Sequence, residues 1–335
     1  MTPAIHDSNQ HRRDVFRFGG SGGVVDRIGI HNVSLVLALL ILIALFGWIR
    51  ADVFFSARNI LNIGMAITIL GVLAMSQTVV IVSGGLDISV GSIVGLTTVS
   101  TAIVMAATGS PFLGIVAGIV VGGLAGLLNG LIITIGRVNA VIATLGTMAI
   151  IRGVAFIISD GQSISIFNDT FRFIGVGVFL GLPIPIWVLI VTAVLFQIFL
   201  AKTVIGRNVY ALGGNPVVAR FSGINLTTYR LGIYVMSGAA GGIGGILLAA
   251  RTGSGQPISG SQGLELEAIT AAVLGGSALQ GGKGTILGAL LGVAVIGVLN
   301  NGMILTAVPT FYQLLAKGSL LILAVIVAEY QLNRS

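Results

Sequence analysis

Cysteine is absent from the 335-residue sequence, so neither a disulfide framework nor a thiolate metal or redox centre can be built. Histidine is scarce as well: His6, His11 and His31 all precede the first long apolar run, which leaves little material for imidazole acid–base chemistry beyond it. Only 8% of the residues are charged and 55% are hydrophobic, whereas an ordinary soluble domain carries about 25% charge. A chain so poor in charge is a polytopic membrane protein, all-α, and the lipid bilayer is its first partner. The formal net charge of +7 would point to nucleic acid in a soluble protein. Here basic cytoplasmic loops explain it, and nucleic acid is not expected.

A complete hydrolytic or phosphotransfer site is also missing. The closest approach to a phosphate-binding loop, SALQGGKGT at 277–285, has Ser277 where the first glycine belongs and Gly284 where a hydroxyl residue should follow Lys283. The chain is therefore not expected to bind ATP itself, to carry a metal or to be an enzyme. Glycine, by contrast, is abundant, with 50 residues. Gly114, Gly118, Gly122, Gly126 and Gly130 recur every fourth position and line one face of a helix, where a neighbouring helix can approach closely.

Apolar runs long enough to cross about 30 Å of hydrocarbon are predicted near 33–49, 60–82, 89–108, 112–135, 140–158, 184–201, 231–250, 284–307 and 312–330. A shorter run at 266–280 is read as a tenth, broken or tilted crossing, giving about ten transmembrane helices. Residues 1–31, basic and glycine-rich, form a disordered cytoplasmic arm before a transmembrane domain over 32–335. With both termini inside, eleven lysines and arginines fall on the inner side and four, Arg50, Arg58, Arg172 and Arg251, on the outer side, as the positive-inside rule requires. The polar and basic island 202–230 then lies in the cytoplasm, and the loop 159–182 outside.

Several polar residues within or beside the spans carry alternative readings. Asp87, in GGLDISVGS, belongs to a structural turn with Gly84, Gly85 and Ser89; its carboxylate either caps the helix that follows or takes part in ion coupling. Asn129, Asn139, Thr144, Asn300 and Asn301 are candidates for a path that admits a neutral polyhydroxylated solute, with hydrogen bonding between helices as the other reading. Arg152 and Lys317 each lie within a span. Glu265 and Glu267 open the short crossing, point to different helix faces and oppose its macrodipole. VSGGLDISVGSIVG (82–95) and LGGSALQGGKGTILG (274–288) resemble each other, as a faint internal repeat or as shared turn chemistry.

Four separated motifs, VSGGLDISVGS (82–92), NAVIATLGTMAIIRG (139–153), GRNVYALGGNPVVARFSGIN (206–225) and LELEAITAAVLGGSALQGGKGTILGALLG (264–292), resemble in their order the membrane permease subunit of bacterial ribose-type ABC sugar importers. Asn139 departs from the pattern, standing where such permeases often carry proline. The resemblance implies a multi-pass protein of the bacterial inner membrane that pairs with a second permease protomer, as a homodimer or heterodimer. It also implies a cytoplasmic ABC ATPase that binds ATP and magnesium, and a periplasmic sugar-binding protein. Within the coupling loop 202–230 it assigns docking on the ATPase to Gly206, Arg207, Asn215, Pro216, Val217, Arg220, Phe221 and Gly223. PVVARFSG suits this role, since Pro216 can open a short helix and Gly223 close it. Other cargoes of the same permease type are nucleosides or branched-chain amino acids. An ion-coupled secondary transporter would need a membrane site for which only Asp87 qualifies.

Overall fold

The computed structural model describes residues 30–259 and 263–332. Most of the expected arm, residues 1–29, lies outside the described residues, and Ile30 and His31 already belong to the first helix. The apolar runs become helices because hydrocarbon offers no partner to an unpaired peptide group, so each spanning segment must satisfy its own backbone. In order they are α1 (Ile30–Ile49), the short α2 (Ala51–Phe54), α3 (Ala57–Val82), α4 (Val90–Thr108), α5 (Pro111–Thr134), α6 (Ala140–Ile158), the short α7 (Asp169–Val176) and α8 (Ile184–Lys202). There follow α9 (Val204–Gly214), α10 (Pro216–Phe221), α11 (Leu226–Thr252), α12 (Leu264–Leu274), α13 (Ile286–Leu305) and α14 (Thr310–Leu332). Eight helices among the described residues are long and apolar enough to cross a membrane: α1, α3, α4, α5, α6, α8, α11 and α13. Local chemistry sets many of their ends. Ser56, Ser110 and Thr285 accept backbone N–H bonds at helix starts, and the left-handed Gly109 and Gly253 close α4 and α11.

α3 is the centre of the molecule. Every residue from Thr68 to Val82 is buried, and its polar side chains Thr68, Ser76, Gln77 and Thr78 each donate to a backbone carbonyl. It packs against α8, α11, α12 and α13. The glycine stripe of α5 fits against α11: a Cβ on Gly122 would overlap the Gly238 carbonyl oxygen, and one on Gly126 the Tyr234 carbonyl oxygen. The two backbones therefore touch directly.

The run at 266–280, read as a broken or tilted crossing, is broken, and its helical bounds are corrected. The helix there is α12, which ends at Leu274, and 275–285 is a loop. Eleven residues at about 1.5 Å each reach only about 16 Å, half of the hydrocarbon thickness. The chain ahead of α12 is extended. A two-residue strand, Ser254–Gly255, pairs antiparallel with Ile164–Ser165, and Gln256 exchanges backbone bonds with the Thr98 hydroxyl halfway along α4, at 3.0 and 3.1 Å. Non-helical backbone at that depth is tolerated because protein surrounds it.

The likeness between 82–95 and 274–288 resolves into turn chemistry. Gly84 N–H and Gly85 N–H bond back to Ile81 and Val80, and Gly276 N–H and Ser277 N–H bond in the same pattern to Val273 and Ala272. The identical pair of bonds closes the helix before Gly223–Ile224 and before Ala307–Val308. Beyond the turns the correspondence fails: Gly91 is already inside α4, whereas Gly284 precedes α13.

Candidate functional site

The island 202–230 folds as two helices that cap one end of the bundle. Thr203 accepts the Gly206 N–H at 2.9 Å to start α9, and Gly206 sits so tightly under the end of α8 that a Cβ would overlap the carbonyls of Phe199 and Leu200. Asn215 separates α9 from α10, and its side-chain oxygen accepts from Val217 N and Val218 N at 3.0 and 3.1 Å. Pro216 occupies the first turn, where it lacks only an N–H that would go unbonded, and Gly223 ends the element at φ 84°. Ala219 is buried against the protein, while Val217 is 64% and Phe221 88% exposed; Arg207 and Arg220 are exposed too.

Behind α10 the island is locked to the bundle through glycines. A Cβ on Gly213 would overlap the Val82 carbonyl oxygen, which accepts a hydrogen bond from Gly282 N at 2.8 Å. The Tyr210 hydroxyl donates to Gly284 O at 2.7 Å, and burial raises the phenol pKa so that it stays a donor. The end of α9 thus meets both the end of α3 and the 275–285 loop between α12 and α13.

The same end of α3 carries a polar knot. Asp87 is fully buried, and its Oδ1 accepts from Ser89 N at 3.0 Å, Ser89 Oγ at 2.6 Å and Asn129 Nδ2 at 3.5 Å. Its Oδ2 accepts from Ser237 Oγ at 2.8 Å. Asn129 also donates to Ser89 Oγ at 2.7 Å and accepts from the Thr147 hydroxyl. The backbone joins in, since Gln77 donates to Asp87 O at 3.0 Å, and Tyr234 and Thr144 donate to Leu86 O at 3.2 and 3.4 Å. One carboxylate and its turn therefore connect α3, α4, α5, α6 and α11. Asp87 meets the backbone at the start of α4, and two of the four donors to its carboxylate come from α5 and α11. Asn129 and Thr144, taken from the sequence as candidates for a solute path, are fully buried and bonded within this knot, in the interhelical role.

At the opposite end of α3 lies a cavity of about 650 Å³ bounded by α3, α11, α12 and α13. Its polar wall is formed by Asn59, Asn62, Arg251, Glu267, Asn300 and Asn301. Asn59 and Asn301 pair by reciprocal amide bonds at 2.9 and 3.1 Å. Lys317 Nζ donates to Glu267 Oε1 at 2.7 Å, and Asn300 Nδ2 to Glu267 Oε2 at 3.5 Å. The Glu267–Lys317 pair thus joins the start of α12 to α14. Sequence reasoning missed this pairing, although a cation within a span and two carboxylates at one helix start were a signal for it. Asn139 is elsewhere, capping α6 through Val141 N at 2.9 Å, at the end that carries Gly84 and Gly85.

Residues 59–325 match the family described as branched-chain amino acid transport system / permease component. The chain is 40% identical over 316 residues to the L-arabinose ABC transporter permease protein AraH of Azospirillum brasilense, covering 94% of this chain and 91% of that protein. It is 39% identical over 298 residues to the ribose import permease protein RbsC of Haemophilus influenzae, covering 88% and 92%. The Bacillus subtilis RbsC is 39% identical over 306 residues, with 91% and 93% covered. No solved structure matches.

Proposed function

This chain belongs to the branched-chain amino acid transport system / permease component family, and from that premise we propose that it is the sugar-conducting subunit of an ATP-driven importer. It is a multi-pass transport protein of the bacterial inner membrane. Its cargo is a pentose or related neutral sugar. The observation that carries this choice is the near full-length likeness to arabinose and ribose permeases. The cavity supports it: about 650 Å³ falls within the range of about 300–1,000 Å³ typical of small-molecule sites. Carboxamides supply both donors and acceptors to sugar hydroxyls without a net charge.

A cytoplasmic cassette ATPase, which holds ATP and magnesium, drives the cycle. A periplasmic binding protein delivers the sugar, and a second permease protomer completes the pathway. Val217, Val218 and Phe221 enter a groove on the ATPase, with Arg220 at its rim, so that closure of the cassettes moves α10. Two features support a direct path inward from there. Gly213 leaves no slack between α9 and the end of α3, and Tyr210 ties the island to the loop before α13. Motion of α10 then shifts two of the four helices that wall the cavity, α3 and α13, and switches its access.

Branched-chain amino acid import is the second reading, because Arg251 and Glu267 line the same cavity. The Lys317 ion pair already satisfies Glu267, which leaves it a poor partner for a substrate ammonium group. Reconstitution with the cassette ATPase and binding protein separates the two. The sugar reading expects ATP-dependent accumulation of labelled ribose or arabinose; accumulation of leucine alone would replace it.

A further inference from the structure

A second cavity, of about 460 Å³, opens at the end of the bundle that carries α9 and α10. Its walls come from the turn after α3, the end of α5, the start of α6 and the first turns of α11. Arg137 and Arg230 both line it, and neither has a carboxylate partner among the described residues. Asp87, which follows the Gly84–Gly85 wall, has both oxygens occupied by Ser89, Asn129 and Ser237. The remaining polar lining adds donors: Asn139 uses its oxygen on Val141 N, which leaves its amide NH₂ for a ligand. Ser83, Thr134 and Tyr234 already direct their hydroxyl protons to backbone carbonyls.

A cavity with two guanidinium groups and no acidic group is built for an anion of fixed geometry, since a guanidinium fork matches phosphate oxygens two at a time. The cavity is much larger than a bare ion, and Ile133, Val138 and Ala140 give it an apolar side. It lies where four helices begin or end, the level at which lipid headgroups meet a membrane protein, and basic pockets between spanning helices hold such headgroups. The geometry points to a phosphate-binding site held by Arg137 and Arg230, its occupant the phosphodiester of an anionic phospholipid or free inorganic phosphate.

The test uses the full chain in nanodiscs of phosphatidylcholine, with thermal unfolding followed as phosphatidylglycerol or inorganic phosphate is added. Saturable stabilisation by phosphatidylglycerol alone assigns the site to lipid, and saturation by inorganic phosphate assigns it to the free ion. Arg137→Gln and Arg230→Gln each weaken the effective ligand by about fivefold, whereas Arg172→Gln, at the other end of the bundle, leaves it unchanged. Arg137→Lys and Arg230→Lys keep the charge and guard against misfolding of the glutamine variants, and each retains part of the binding. Absence of saturable stabilisation by either probe, or equal losses in Arg172→Gln, would overturn the assignment.

Discussion

Asp87 shows how much one side chain can hold together. Four donors reach its carboxylate, and two of them, from Ser237 and Asn129, come from helices far along the chain. Asp87→Ala strands these groups in a dry interior at a cost of about 1–3 kcal/mol for each unsatisfied partner. Asp87→Asn retains one acceptor oxygen and loses less. Thermal unfolding in detergent should order the proteins as wild type, Asp87→Asn, Asp87→Ala, and equal midpoints would refute the knot as a stabilising element. The turn itself could be read in GGLDISVGS, because glycine and a short polar cap are local signals. Its partners Asn129, Thr147 and Ser237 could not, since their meeting depends on which helix faces which. The same limit hid the Glu267–Lys317 pair, whose members are separated by a whole spanning helix.

Among the elements, α10 and α12 differ in how far local sequence specified them. PVVARFSG carries its own start and stop, Pro216 after the Asn215 cap and Gly223 after the last turn, so its six helical residues follow from local chemistry. α12 is shorter than its apolar run, because Gly275 and Gly276 close the helix while apolar Ala278 and Leu279 carry the run further. The α5–α11 seam makes its own prediction. Gly126→Leu drives a branched side chain into the Tyr234 backbone, and overpacking of this kind costs at least about 1–3 kcal/mol. Size-exclusion profiles of purified protein should show loss of a monodisperse peak, whereas Gly146→Leu, at a position with open space beside it, keeps the peak.

For the molecule as a whole, the membrane class and nearly all helix spans were legible, because hydrocarbon forces long apolar runs into helices. The cavity was not, since its walls come from four separated segments. The absence of cysteine makes orientation simple to measure by introducing one thiol at a time. Phe167→Cys, on the loop 159–182 and 96% exposed, should react with an impermeant maleimide only from outside the cell. Phe221→Cys should react only once the inner face is opened. Reaction of both from one side would contradict the assignment, and exchange of the two sides would invert it.

The central claim is that α10 receives the driving motion and the asparagine-lined cavity passes a sugar. ATP-driven uptake of labelled pentose by the reconstituted importer tests it most directly, with Phe221→Glu compared against wild type. The wild-type assembly is predicted to accumulate pentose, and Phe221→Glu to lower accumulation by at least about tenfold, as loss of an aromatic anchor at an interface does, with membrane insertion and unfolding midpoint unchanged. Undiminished pentose uptake by Phe221→Glu would contradict the account.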